Sequence, residues 1–193
     1  MRTRERSALG LSEDDFVLLC VGKLHPRKRM LDVLEALARL PARAPGSRRR
    51  TLLIGGDGEE RDMLRAYVAE HALDVRFHGF VNIDGLPALY SAADVFVHSA
   101  EIEQYGMVAL EAAVLGLPMI LSDRVGAIGP TSIARADVNA IVYPFGDIDA
   151  LARSIARLSD DDALRRKMAN ASLEISRDHS GPKSVAAVVA ASA

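Results

Sequence analysis

Short apolar runs that end on glycine alternate with helix-spaced segments along most of this chain, and few folds accept that alternation. Phe16 to Val21 is continuously apolar and stops at Gly22, the pattern of a strand buried on both faces. Met30 to Leu40 then carries helical spacing through Met30, Leu31, Leu34, Leu37 and Ala38. Further strands are expected at Thr51 to Ile54, Val75 to Phe77, Val95 to His98, Met119 to Ser122 and, more weakly, Ala140 to Tyr143. Helices are expected between them at Glu59 to Glu70, Leu86 to Ala92 and Gly106 to Leu115, the last stopped by Gly116. Two more, Asp147 to Leu158 and Asp162 to Ile175, each open on an aspartate cap. Pro41 to Gly46 reads as a loop. The pattern predicts an α/β fold: a single Rossmann-like, doubly wound parallel sheet of about six strands with helices on both faces.

A chain of 193 residues that is 49% hydrophobic and 26% charged can bury a core of its own. Its net charge of −2 provides no basic field for nucleic acid or membrane. The basic run Arg48 to Arg50 could touch anionic lipid, though membrane contact is not indicated and a solvated loop is the better reading. Cys20 is the only cysteine; it excludes an intrachain disulfide, fits a reducing compartment such as the cytoplasm, and reads as a packing residue in FVLLCVG. The five histidines are scattered, no H-E-x-x-H occurs, and no metal site is expected.

Ligands of doubly wound sheets lie beyond the carboxyl ends of the strands, so the segments that follow them carry the functional signal. After the first strand comes GKLHPRKRM, in which Lys23 and Lys28 could each reach an anion. After the second comes GGDG, a poor dinucleotide fingerprint because Arg61 occupies the third glycine's place. After the third, Phe80 and Val81 either border a flat ligand such as a nucleobase or tuck into the core. After the fourth comes HSAEIEQYGMVALE. There Glu111 is the only charged residue from Gly106 to Leu121, and an unpaired carboxylate in such a run is costly. Glu103 lies just upstream, at the mouth of the helix, and Glu101 has no assigned role. The first helical turn, at Gly106 and Met107, offers unpaired N–H groups and the positive end of the helix dipole to a phosphate.

The E-x7-E spacing of Glu103 and Glu111, taken with GKLHPRKRM, GGDGEERDML, RFHGFV, LPALYSAADVFVHSA and VYPFGDIDALA, resembles the retaining glycosyltransferases of the GT-B fold from about Leu9 to Leu164. The resemblance implies the C-terminal, nucleotide-sugar-binding half of such an enzyme. It implies that Lys23 and Lys28 hold the donor diphosphate with the backbone N–H groups of Gly106, Met107 and Val108. Glu111 would hold the ribose hydroxyls, Glu103 would contact the donor sugar near its anomeric carbon, and Phe80 and Val81 would border the base. Glu103 and Lys28 are the residues it gives to catalysis. His98 departs from the family, which commonly has proline there, and Ser99 to Glu103 is one residue longer than the commonest form.

The resemblance further implies residues 1–14 as a linker from an N-terminal acceptor-binding domain, 15–177 as the donor-binding domain and 178–193 as a tail. The expected partners are that domain and a donor such as a UDP-sugar, with no cofactor and no metal. Hexosyl transfer would need the whole protein, and this chain alone would be inactive. A nucleotide-sugar epimerase, a Rossmann dehydrogenase and a non-catalytic nucleotide-binding module remain open from the residues themselves.

Overall fold

The computed structural model describes residues 2–41 and 48–179. Among these, six strands form one sheet: β1 (Phe16–Val21), β2 (Arg50–Gly55), β3 (Val75–Gly79), β4 (Val95–His98), β5 (Met119–Ser122) and β6 (Ala140–Tyr143). Every pairing is parallel, in the order β3-β2-β1-β4-β5-β6. The helices are α1 (Arg2–Ala8), α2 (Met30–Arg39), α3 (Arg61–Glu70), α4 (Leu86–Ala92), α5 (Met107–Val114), α6 (Ile148–Asp160) and α7 (Asp162–His179), with a 3-10 turn at Pro26–Lys28. The expected elements are all present. The last helix runs four residues further than its apolar pattern, and α3 starts two residues later than expected because Glu59 and Glu60 belong to a turn. From Ser180 onward the tail lies outside the described residues, as does most of the Pro41 to Gly46 loop.

Strand alternation divides the core in two. Val17, Leu19 and Val21 point into one cluster with α4 and α5. Phe16, Leu18 and Cys20 point into the other with α2 and α6. β1 is fully buried along its length, which explains its unbroken apolar run. Cys20 is packing material: burial pushes its thiol up to about 12.

The loops after β1 and β2 are bonded to one another. Gly22 N–H donates to Gly55 O at 3.0 Å, Leu24 N–H to Asp57 O at 2.9 Å and Glu60 N–H to Leu24 O at 3.2 Å. A Cβ on Gly56 would stand 1.8 Å from Gly22 O, and one on Gly58 would stand 2.2 Å from Leu24 O. The glycines of GGDG therefore admit the neighbouring backbone. Arg61, in the third glycine's place, pairs with Asp57 at 3.0 Å.

Two basic segments, within the expected linker and the expected solvated loop, are built into the fold. The opening segment forms α1, which packs on α4 and buries Arg6 completely. The Arg6 guanidinium donates to the carbonyls of Ala92, Ser12, Glu13 and Asp15 and to Asp94 Oδ2 at 2.7 Å. Asp94 also accepts from Arg2 at 2.7 Å and from the Val17 N–H at 2.8 Å, so one carboxylate ties α1 to two strands. The solvated-loop reading of Arg48 to Arg50 is corrected. These side chains meet Asp162, Asp15, Asp74 and Asp160, and Arg50 begins β2.

Asp94→Ala strands the Arg6 charge in the interior, and removing one partner of such a pair costs about 3–5 kcal/mol. Urea unfolding should show that loss. Asp149→Ala, which breaks the exposed pair with Arg39 (46% and 71% exposed), should stay within about 0.5 kcal/mol of the parent.

Candidate functional site

The winding of the sheet reverses between β1 and β4, so the chain leaves these neighbouring strands toward opposite faces and opens a crevice beyond their carboxyl ends. Two loops border it. The one after β1 carries Lys28 in a 3-10 turn capped by His25, whose Nδ1 accepts from the Arg27 N–H at 3.2 Å. Arg29 follows in the left-handed region, φ 52, where a side chain is strained. Its guanidinium is forked to the buried Asp32 carboxylate, with contacts of 2.8 and 3.2 Å, and lies 5.8 Å from the centre of the Phe145 ring.

The loop after β4 reaches across to hold this turn. Ser99 Oγ donates to the carbonyls of Lys28 and Arg29 at 3.0 and 2.8 Å, and the Glu101 N–H donates to Arg27 O at 2.9 Å. Lys28 Nζ meets Glu103 Oε2 at 2.5 Å. Both are partly shielded, with side chains 27% and 20% exposed. His98 Nε2 lies 3.3 Å from the same oxygen. Burial pushes the Glu103 carboxyl up, but the hydrogen bonds and charges of Lys28 and His98 outweigh it, and the net direction is down. Burial, helped by Lys28, takes His98 down to about 4, so its ring is neutral at physiological pH.

Gly106 caps α5 in the left-handed region, φ 59, and a Cβ there would meet Ala127 Cβ at 2.7 Å. It stands outside the first turn rather than in it, and its N–H faces Glu103 Oε1 at 3.5 Å. Of the three amides expected to be open to an anion, Met107 and Val108 fit that description. They lie in the first turn of α5 and have no intrahelical carbonyl to bond.

One turn deeper, Glu111 accepts from the Tyr90 hydroxyl at 2.8 Å. Burial raises its carboxyl above the usual range, and Tyr90 only partly offsets this. Burial and the neighbouring Glu111 charge raise the Tyr90 phenol in turn. Sequence reading missed Tyr90; α4 spacing places it one turn from Leu86, but nothing local names Glu111 as its partner.

Leu86, Lys23, Phe80 and Val81 line a cavity of about 420 Å³ with Gly22, Gly55, Gly56 and Asp57 at the ends of β1, β2 and β3. The structure splits the Phe80–Val81 pair. Val81 packs against the core, whereas Phe80 is 83% exposed at the rim. Thus Lys28, Glu103 and Gly106 are in direct contact, and Lys23, Phe80 and Val81 share one cavity. Glu111 adjoins the site through Tyr90 and α5. Glu101 is exposed and its carboxylate has no part in these contacts. Among the described residues no three His, Cys, Asp or Glu side chains gather as a metal set, and no helix is long and apolar enough to cross a membrane.

The family model for glycosyl transferases group 1 matches residues 1–174. An uncharacterized glycosyltransferase of Methanocaldococcus jannaschii is 34% identical over 168 residues, 86% of this chain and 41% of that protein. The lipopolysaccharide core biosynthesis glycosyltransferase LpsE of Rhizobium meliloti is 34% identical over 167 residues, covering 86% and 46%. Among solved structures, sucrose-phosphate synthase of Thermosynechococcus elongatus superposes with a TM-score of 0.81 at 28% identity, over 95% of this chain and 46% of that one. Anabaena HepE in complex with UDP gives 0.78 at 25%, over 91% and 47%. The chain thus spans less than half the length of these relatives. With one doubly wound sheet and a match over most of its length, this chain belongs to the group 1 glycosyltransferases and forms a half-domain of the GT-B fold.

Proposed function

We propose that this chain binds the nucleoside diphosphate sugar donor of a retaining, metal-independent hexosyltransferase whose acceptor is held by a further, N-terminal domain of the whole protein. Residues 1–14 would lead in from that domain, and this chain alone would be inactive. The observation that carries the reading is the Lys28–Glu103 pair at the β1/β4 crevice, beside the open first turn of α5.

Glycosyl transfer places growing negative charge on the leaving diphosphate. Lys28 and Lys23 supply positive charge, and the Met107 and Val108 N–H groups oriented dipoles, for it without a metal ion or cofactor. The base lies in the cavity bordered by Phe80 and Val81, and the ribose hydroxyls bond to Glu111. Binding energy from base and ribose positions the anomeric carbon beside Glu103. Anabaena HepE, whose structures hold UDP and UDP-glucose, supports a uridine donor. The buried lone Cys20 suits the cytoplasm.

Titrating this chain calorimetrically with UDP, GDP and ADP tests the reading directly; saturable binding of at least one is the expected result, and binding of none removes the donor site. A hydrogen bond to a charged group contributes about 1.5–3 kcal/mol, so Lys28→Ala should weaken the diphosphate about 10- to 100-fold and the free nucleoside little. Equal losses for both would take Lys28 off the phosphates.

Glu111 makes an independent prediction. Its folded carboxyl is raised above its unfolded value, so the fold prefers it protonated. The stability this provides is full at acid pH and is lost as pH rises through the folded value. Glu111→Gln should therefore raise the thermal midpoint at pH 7.5, with the gain shrinking toward pH 4, while nucleotide affinity falls. A midpoint lowered at neutral pH would contradict the proposed cost of that carboxylate.

A further inference from the structure

His98 is buried on β4 with its Nδ1 against no partner, and its Nε2 lies 3.3 Å from Glu103 Oε2. The tautomer follows from the partner. Glu103 is ionised beside Lys28 and can only accept, so the ring proton sits on Nε2. The opposite tautomer would bury an N–H with nothing to receive it and aim a lone pair at a carboxylate. An apolar side chain would avoid the bare Nδ1, so the placement makes physical sense through what Nε2–H does for Glu103.

Lys28 Nζ and His98 Nε2 converge on one oxygen, while Gly106 N–H faces the other. These supports differ in stiffness. Lys28 reaches Glu103 on a flexible stem from the β1 loop, whereas His98 stands on a strand and lies against the Phe96 ring with centroids 5.9 Å apart. A diphosphate that draws Lys28 away takes the cation from Glu103 and leaves the ring N–H in place. We propose that His98 is a positioning residue: its Nε2–H fixes the direction of the Glu103 carboxylate once Lys28 has turned to the donor diphosphate, so that Glu103 meets the sugar in a set orientation. This rests on the donor-site reading above.

The charged groups recorded against the ring are Lys28 from the β1 loop and Glu103 from the β4 loop. Burial and Lys28 hold the ring down to about 4, so before Lys28 turns away it is neutral through the working range and its single N–H is on Nε2.

The ring can be read without any ligand. Imidazole 15N spectra of the chain should show His98 neutral, with the proton on Nε2, from pH 8 to pH 5. A neutral ring with its proton on Nδ1 would overturn the proposal.

The functional consequence is tested with UDP and UDP-glucose on the parent and His98→Leu, a substitution suited to an apolar site. UDP affinity should change by no more than about twofold, whereas UDP-glucose should weaken by about tenfold, the size of one lost hydrogen bond. Glu103→Gln should remove the same sugar-dependent increment, and the double variant should lose no more than either alone. Equal losses for UDP and UDP-glucose, or additive losses in the double variant, would overturn the role of His98 while leaving the donor site standing. Failure of the parent to bind any nucleoside diphosphate would instead remove the donor-site reading, and this proposal with it.

Discussion

When the chain leaves two adjacent parallel strands toward opposite faces of a sheet, neither departing segment can cover the gap between the strand ends. In this molecule the gap lies between β1 and β4, and the site is organised around it. The rim of the gap is closed through Ser99 on the Lys28 and Arg29 carbonyls, the Glu101 N–H on Arg27 O, and Lys28 on Glu103. These contacts join loops that lie about seventy residues apart in sequence. They bring the two connections together as a pair of walls, with an ammonium on one side and a carboxylate and a helix N-terminus on the other.

The walls are held against local preference. Arg29 occupies a left-handed conformation that glycine would take without strain, and Asp32 and Phe145 hold its side chain there. Glu111 sits in an apolar helix with one hydroxyl as its recorded partner, and His98 leaves a ring nitrogen bare in the interior. Each of these costs stability. Comparable costs fall elsewhere as well, at the left-handed Ala72 and Asp137 and at the unpartnered His78 Nε2 and Tyr143 hydroxyl, so what marks the candidate site is that Arg29, His98 and Glu111 meet at one crevice.

The fold was legible because a strand buried on both faces has to be apolar at every position, and the run Phe16 to Val21 leaves no alternation to misread. The candidate site was legible as a set of strand-end segments but not as a set of contacts. Glu111 stood out through its isolation, yet Tyr90 could be named as its partner only once α4 was seen to lie against α5. His98 was noticed as a departure from the family and given no function, since its meaning depends on an oxygen shared with a lysine seventy residues away. The helix at Arg2–Ala8 was missed for a related reason. Its anchor is a buried guanidinium bound to Asp94, and a charged segment held by a distant carboxylate carries no apolar period to detect.

The central claim is that Lys28 and the first turn of α5 close on one diphosphate. Amide and lysine-ammonium NMR of this chain during titration with UDP tests it most directly. The Met107 and Val108 amides and the Lys28 ammonium should shift together along a single saturation curve. If UDP binds while those three signals stay in place, the diphosphate lies elsewhere and the claim is wrong.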